Sequence, residues 1–182
     1  KIKKEWVDEI LVVDGGSTDG TIEETKKNGF RIIKQEIKGH GGAIISGIKN
    51  TISDNIIIFG PDGNHEPEEI PRLIQKIEEG YDQVVVSRFT KQSVIREPNY
   101  GFVKFGNKFF TFFANILFKG NLSDTMTDSR IITRNAFNEL DFDALFSDST
   151  LTMSIRGMKK RQRMTEIIGD QGRRIGGERK MK

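Results

Sequence analysis

Short apolar runs alternate with segments of helical period along the first half of the chain. Residues 9–13, 30–34, 55–59 and 83–87 are rich in Ile and Val and are bounded by Gly, Asp and Asn, the pattern of strands covered on both faces. Between them, residues 19–28, 42–53 and 67–79 have helical length and spacing. Strand, helix, strand in this rhythm predicts right-handed crossovers and an α/β fold with a mainly parallel sheet flanked by helices. Pro67 suits a first helical position, Glu68 and Glu69 complement the positive end of that helix, and Gly80 is a natural stop. A fourth helical pattern, 102–118, holds seven of the thirteen Phe residues, with Phe102, Phe105, Phe109, Phe112, Phe113 and Ile116 on one stripe. Such a stripe ordinarily packs into a core; the alternative is an interfacial surface that guides a lipid.

Composition narrows the chemistry. The 182 residues fit one domain, and 35% hydrophobic with 30% charged residues is a globular composition. With no Cys and only two His, His40 and His65, thiolate and imidazole metal clusters are excluded, so any metal must be a hard, oxygen-bound one. No uncharged apolar run is long enough to span a bilayer, and the first residues lack a signal-peptide core, so a cytoplasmic location is expected. The net charge is +3, yet residues 156–182 hold ten basic against three acidic residues. That asymmetry favours phosphates, anionic lipid or nucleic acid without choosing among them.

Ligands of open α/β sheets sit beyond the carboxyl ends of the strands, which directs attention to the loops after residues 13, 34, 59 and 87. In the first, Asp14 ends a strand and Gly15, Gly16 and Ser17 follow; its carboxylate can accept from a base N–H or a ribose hydroxyl, or simply close a turn. The second holds Gly39, His40, Gly41 and Gly42, and the N–H groups of such a helix start, Gly41 among them, can approach an anion. In the third, Asp62 and Asn64 stand two residues apart, so a carboxylate and an amide oxygen can share one face of Mg2+ or Mn2+. The fourth carries Arg88, a cation for a phosphate or a partner for a surface carboxylate. Arg174, Arg179 and Lys180 offer the geometry of diphosphate or lipid-phosphate binding, or of a basic segment beside a membrane.

Read as strings, these loops resemble the elements of family 2 glycosyltransferases, close to the dolichyl-phosphate-mannose-synthase-like branch. Val12-Val13-Asp14-Gly15-Gly16-Ser17-Thr18-Asp19-Gly20-Thr21 is similar to V-D-D-G-S-x-D-x-T, with Gly15 in place of a second Asp. The stretch from Gly60 through Pro71 is similar to D-x-D-x-(Q/N)-H-x-P-E-E-I, with Gly60 replacing the first Asp. Residues 38–43 resemble G-K-G-x-A, Ser87-Arg88 matches the end of G-S-R-(Y/F), and residues 173–180 resemble R-x-G-x-S-K. Residues 124–130 resemble D-x-x-(S/T)-G-F-R, with Asp128 and Ser129 in place of Gly-Phe. Met153-Ser154-Ile155-Arg156 matches a family helix preceded in many members by an E-D pair that supplies a general base; Ser149 and Thr150 occupy that pair's places.

The resemblance implies a GT-A (Rossmann-like) fold and inverting transfer of a sugar from a nucleoside-diphosphate donor. By position, Asp14, Gly16, Ser17, Gly41, Asp62 and Arg88 would bind the donor, and Asp62 and Asn64 would hold Mg2+ or Mn2+. Asp124 and Arg130 would be the catalytic pair, and Arg174, Arg179 and Lys180 would bind acceptor phosphate. The vacant base position implies an acceptor that is already anionic, a polyprenyl phosphate at the cytosolic face of a membrane; the alternative is that Asp148, one residue earlier, substitutes as the base. Family members begin with a further strand, so residues 1–182 are expected to form one GT-A domain that is incomplete at its N-terminus. Two competing expectations are a catalytically degenerate nucleotide-sugar-binding domain or fragment, and an interaction module that binds anions or nucleic acid with its basic end; on the main reading no nucleic-acid partner is expected.

Overall fold

The computed structural model describes residues 2–60, 62–96, 101–141 and 149–172. After a 3-10 turn at Lys4–Trp6, strand β1 (Leu11–Asp14), helix α1 (Thr21–Lys27) and strand β2 (Arg31–Lys34) form one strand-helix-strand unit. The two strands pair in parallel from Leu11 with Arg31 to Asp14 with Lys34. Helix α2 (His40–Lys49) leads to β3 (Asn55–Ile58), and α3 (Glu69–Glu78) leads to β4 (Gln83–Ser87). Helix α4 (Gly101–Phe118) is followed by β5 (Arg130–Thr133), α5 (Arg134–Glu139), α6 (Ser149–Lys159) and β6 (Met164–Ile168).

The strands expected at 9–13, 30–34, 55–59 and 83–87 all form, with ends shifted by no more than two residues, but of these four only β4 is buried along its whole length, and β2 is exposed at both ends. Elements β5, α5 and β6 had no forecast. The second sheet has the order β3-β5-β4-β6; β5 runs antiparallel to both β3 and β4, while β4 and β6 are parallel. The sheet is therefore mainly parallel in strand direction, with β5 reversed inside it. That reversal delivers the loop before Arg130 to the edge where β3 and β4 end, since Arg130 lies opposite both Ile58 and Val85.

Alternation along the strands builds two core layers. On one face Ile56 and Ile132 meet Ile44 and Ile48 of α2, Phe137 and Leu140 of the α5 region and Met153 of α6. On the other, Val84, Val86, Ile131 and Ile167 pack on Leu73 of α3. All five β4 residues are buried, which explains their unbroken apolar run.

Among the described residues no ladder joins β1 to β3, and α2 spans the two sheets instead. It packs on β1, where Gly47 lies against Val13, and its isoleucines enter the core over β3. Arg134 fastens its far end, donating to the carbonyl oxygens of Ile48, Thr51 and Ser53 at 3.3, 2.8 and 2.9 Å. Three of the ten α2 residues are Gly, a composition that weakens an isolated helix but allows close approach.

Three expectations are corrected. Pro67 lies ahead of α3, in a turn where Glu69 N–H donates to Glu66 O and Ile70 N–H to Pro67 O. Glu69 is in the first helical turn but only 1% exposed, so it is a core group rather than a solvated dipole partner. The Phe stripe of α4 does not pack: only Thr111 and Ala114 of that helix are buried, because the helix turns its small residues inward. Gly80 ends α3 as expected, with φ of 88°.

A side chain on Gly42 should test the seat of α2. A Cβ there would lie 1.9 Å from Ile37 O, a backbone atom that cannot yield without moving the chain. Gly42→Ala is expected to lower stability by about 1–3 kcal/mol, the usual cost of overpacking, read as a shift in the urea midpoint at unchanged slope.

Candidate functional site

Asp14 closes its own loop. Its carboxylate accepts from Gly16 N–H at 2.8 Å and from Ser17 N–H at 3.1 Å, which fixes the turn after β1 and sets Gly16 at φ of 103°. Hydrogen bonding by the Ser17 side chain, then by the Gly16 amide, lowers the Asp14 pKa below its ordinary value. The carboxylate is thus held ionised and oriented by Gly16 and Ser17, and a carboxylate has lone pairs beyond those three bonds to accept from a ligand. Gly41 is buried in the first turn of α2, and His40 beside it lies 3.8 Å from Asp128. That contact brings the helix start that follows β2 next to the loop that feeds β5.

The loop after β3 turns on a carboxylate and amide pair. Asn64 N–H donates to Asp62 Oδ1 at 3.2 Å, and Asn64 Nδ2 donates to Asp62 Oδ2 at 2.6 Å. Asn64 Oδ1 is buried without a hydrogen-bond partner. An amide rotated by half a turn presents that orphaned oxygen beside the carboxylate instead, and adjacent oxygens around Mg2+ lie about 2.9 Å apart. The pair therefore fits one side of a hard cation, with the remaining ligands left to phosphate and water. Among the described residues no group of three or more acidic or imidazole side chains forms a complete cation cage.

Arg88, at the end of β4, and Asp124, before β5, form one unit. The guanidinium donates from Nε to Asp124 Oδ2 at 2.7 Å and from NH2 to Oδ1 at 3.1 Å, while Arg88 N–H also reaches Oδ2. Asp124 is fully buried, and its Oδ1 also accepts from Met126 N–H. Two residues assigned separately from sequence, one to the donor and one to catalysis, are thus a bidentate ion pair.

Gln171 and Gly172 connect this pair to the Asp62 loop. Arg88 NH1 donates to Gln171 Oε1 at 3.3 Å, and Gly172 N–H donates to Asn64 O at 2.9 Å. A Cβ at Gly172 would come within 2.9 Å of Gly63 O, so only Gly permits that approach. Asp170 reinforces the strap by accepting from Val94 N–H and pairing with Arg96, which also reaches Glu66. Loops after β3, β4 and β6 are in this way knitted into one rim. Sequence reading missed Gln171 and Gly172, which carry no local motif. It also missed Glu69 against His65 at 3.3 Å, although their i, i+4 spacing was a usable signal.

Arg130 does not line the rim. It is fully buried, donating to Gln83 Oε1 at 2.8 Å, Ser154 Oγ at 3.3 Å and Thr127 O at 2.7 Å. It braces the loop that carries Asp124. Ser149 and Thr150 open α6 and are themselves buried. Arg174, Arg179 and Lys180, together with Asp148, lie outside the described residues.

Comparison with known proteins supplies the family. The model of glycosyl transferase family 2 matches residues 4–141. A dolichyl-phosphate hexose transferase of Haloferax volcanii is 29% identical over 134 residues, which cover 74% of this chain and 57% of that protein. An undecaprenyl-phosphate 4-deoxy-4-formamido-L-arabinose transferase of Pectobacterium atrosepticum is 33% identical over 99 residues, covering 50% and 30% respectively. The chain thus spans about half or less of the length of these curated relatives. Among solved structures, glucosyl-3-phosphoglycerate synthase from Mycobacterium tuberculosis in complex with Mg2+ and uridine diphosphate superposes with a TM-score of 0.75 at 19% identity, over 94% of this chain and 62% of that one. That likeness shows the fold, the expected GT-A arrangement.

Two outcomes follow from the geometry. Arg88→Ala leaves the buried Asp124 without its cation and is expected to cost about 3–5 kcal/mol in urea denaturation, with Arg88→Ala/Asp124→Ala recovering part of the loss. Asp14, whose pKa is lowered on folding, contributes stability that is full above the unfolded value near about 3.9 and is lost as pH falls through the folded value. In an NMR titration the Gly16 and Ser17 amide resonances should shift with a midpoint below 3.8, and Asp14→Asn should abolish that step.

Proposed function

The chain belongs to glycosyl transferase family 2, and from that membership we propose that it serves an inverting transfer of a sugar from a nucleoside-diphosphate donor to a polyprenyl phosphate. The observation that carries this reading is the rim in which Gln171 and Gly172 tie the Asp62 and Asn64 loop to the Arg88 and Asp124 pair. A site for the donor diphosphate thereby adjoins a buried cation and carboxylate. The names of the polyprenyl-phosphate transferases among its relatives support the acceptor class.

In this reading Asp14, held ionised by its loop, accepts from the nucleoside, with Gly16 and Ser17 shaping the approach. The N-terminal end of α2 at Gly41 faces the anionic part of the donor. Asp62 and Asn64 hold Mg2+ or Mn2+, which when bound offsets charge on the departing diphosphate. Arg88 is paired with Asp124 and bonded to Gln171, so it holds the rim around the donor phosphates as a matched charge rather than as a free cation. Arg130 acts through the Asp124 loop as a positioning residue, and Arg174, Arg179 and Lys180 receive the acceptor phosphate.

Chemically, an acceptor phosphate oxygen forms a bond to the anomeric carbon as the bond from that carbon to the diphosphate breaks, and the nucleoside diphosphate departs with the electron pair. No proton has to be removed from the acceptor, which agrees with Ser149 and Thr150 in the place where hydroxyl-directed relatives carry a base. Such an acceptor places the chain at the cytosolic face of a membrane.

A second reading, a domain that binds sugar nucleotides without turning them over, is favoured by one observation. Asp62 is the one carboxylate of its loop before the turn into α3, and Gly60 stands where a second would help.

Calorimetry with UDP- and GDP-hexoses, with and without Mn2+, tests both. Asp62→Ala should remove the metal-dependent part of donor binding by at least the roughly 10- to 100-fold that loss of even an outer-shell partner costs. Gly60→Asp should strengthen it, because a Cβ at that position would lie at ordinary contact distance, 3.6 Å, from Asp62 Oδ1. Unchanged binding in Asp62→Ala overturns the cation assignment; tight binding without transfer to dolichyl phosphate favours the second reading.

A further inference from the structure

Helix α4 exposes what an ordinary surface hides. Phe102, Phe105, Phe109, Phe112, Phe113 and Ile116 lie within an arc of about 100° at 3.6 residues per turn, and all are solvent-exposed, from 43% for Phe113 to 88% for Phe102. The helix is held from the opposite side, where Ala114 is buried and Thr111 Oγ1 meets Thr125 Oγ1 at 2.9 Å. Rings along the exposed arc contact one another, with Phe109 and Phe113 centroids 4.8 Å apart. They form a continuous apolar strip.

Charge identifies what covers it. The helix carries no acidic residue, and Lys104 and Lys108 lie on one side of the strip, about 40–80° from its edge by the helical repeat. At the C-terminal end, Phe118 packs against the cluster that holds Met158 of α6, and exposed Lys119 follows it. Apolar rings bordered by cations fit an anionic lipid surface, where rings enter the acyl boundary and lysines reach the headgroups. A second copy of the chain fits less well, since isologous pairing of α4 would bring lysines together with no carboxylate on the helix to receive them. The helix is also not long and apolar enough to cross a membrane, as none is among the described residues.

We propose that the Phe face of α4 is a membrane-docking surface that lies in the plane of an anionic bilayer, with Lys104 and Lys108 at the headgroups. This deepens the acceptor reading above, because a polyprenyl phosphate presents its phosphate at that interface. Docking is measured without any donor, so its failure is distinct from failure of the transfer reading.

The test is co-sedimentation of the 182-residue chain with phosphatidylcholine vesicles and with the same vesicles containing phosphatidylglycerol. Binding to the anionic vesicles is expected to exceed that to neutral ones, and Phe109→Ser/Phe112→Ser to weaken it by at least about tenfold. Both serines replace exposed rings, and circular dichroism confirms retained folding. Lys104→Gln/Lys108→Gln should lower the preference for anionic vesicles while leaving the folded state intact. In a Trp6→Phe background, Phe112→Trp should show a blue-shifted emission on adding vesicles and quenching by brominated lipid. Failure to bind, binding unchanged by the serine pair, or a Phe112→Trp emission indifferent to vesicles overturns the proposal. So does concentration-dependent dimerisation abolished by the serine pair with no vesicle binding, which would assign the strip to a second copy.

Discussion

The ion pair of Arg88 with Asp124 governs the arrangement of the candidate site. A carboxylate with no solvent exposure is tolerable only when its charge is matched and its oxygens are occupied, and Arg88, the Arg88 amide and Met126 N–H together meet that demand. The pair joins the carboxyl end of β4 to the loop entering β5. Because the guanidinium also reaches Gln171, the same charge fixes where the chain goes after β6. Gly172 can then reach Asn64, and the loop of Asp62 and Asn64 acquires its place by way of a residue more than a hundred positions later.

Reversal of β5 makes this possible. A strand antiparallel to both neighbours starts at the edge where they end, so a segment from late in the chain enters the rim without a further crossover. Arg130 secures that entry from inside the fold, using Gln83, Ser154 and the Thr127 carbonyl. A buried arginine of this kind organises a loop. The close passage of Gly169 past Val86 and Glu69 follows from the same crowding at the end of β6.

The exposed strip on α4 belongs to a different part of the molecule and follows a different logic. Burying a Phe side chain is worth about 1.5–3 kcal/mol, so a helix that leaves eight large apolar side chains exposed forgoes a large stabilisation. What holds it is a narrow seam of small and hydroxyl-bearing residues, Thr111 and Ala114, with Asn115 bonded to the Leu122 backbone in both directions. The strip is therefore available to an external apolar phase, as the proposed docking to an anionic bilayer requires.

Local chemistry determined much of this by sequence alone. Ile- and Val-rich runs read as strands, Gly80 reads as the stop of the helix before it, and the loops at Asp14 and Asp62 carry their turn geometry within a few residues. Family motifs in order along the chain named the fold. What the tertiary structure decided were matters of partnership between distant residues. Whether Arg88 is a free cation or the counterion of Asp124, whether Arg130 faces a ligand or the core, and which way β5 runs depend on contacts spanning tens of residues. The Phe stripe has the same periodicity whether it packs inward or faces out, because a repeat of 3.6 specifies a common face and not what lies against it. Only the small residues turned toward the body of the domain settled that question.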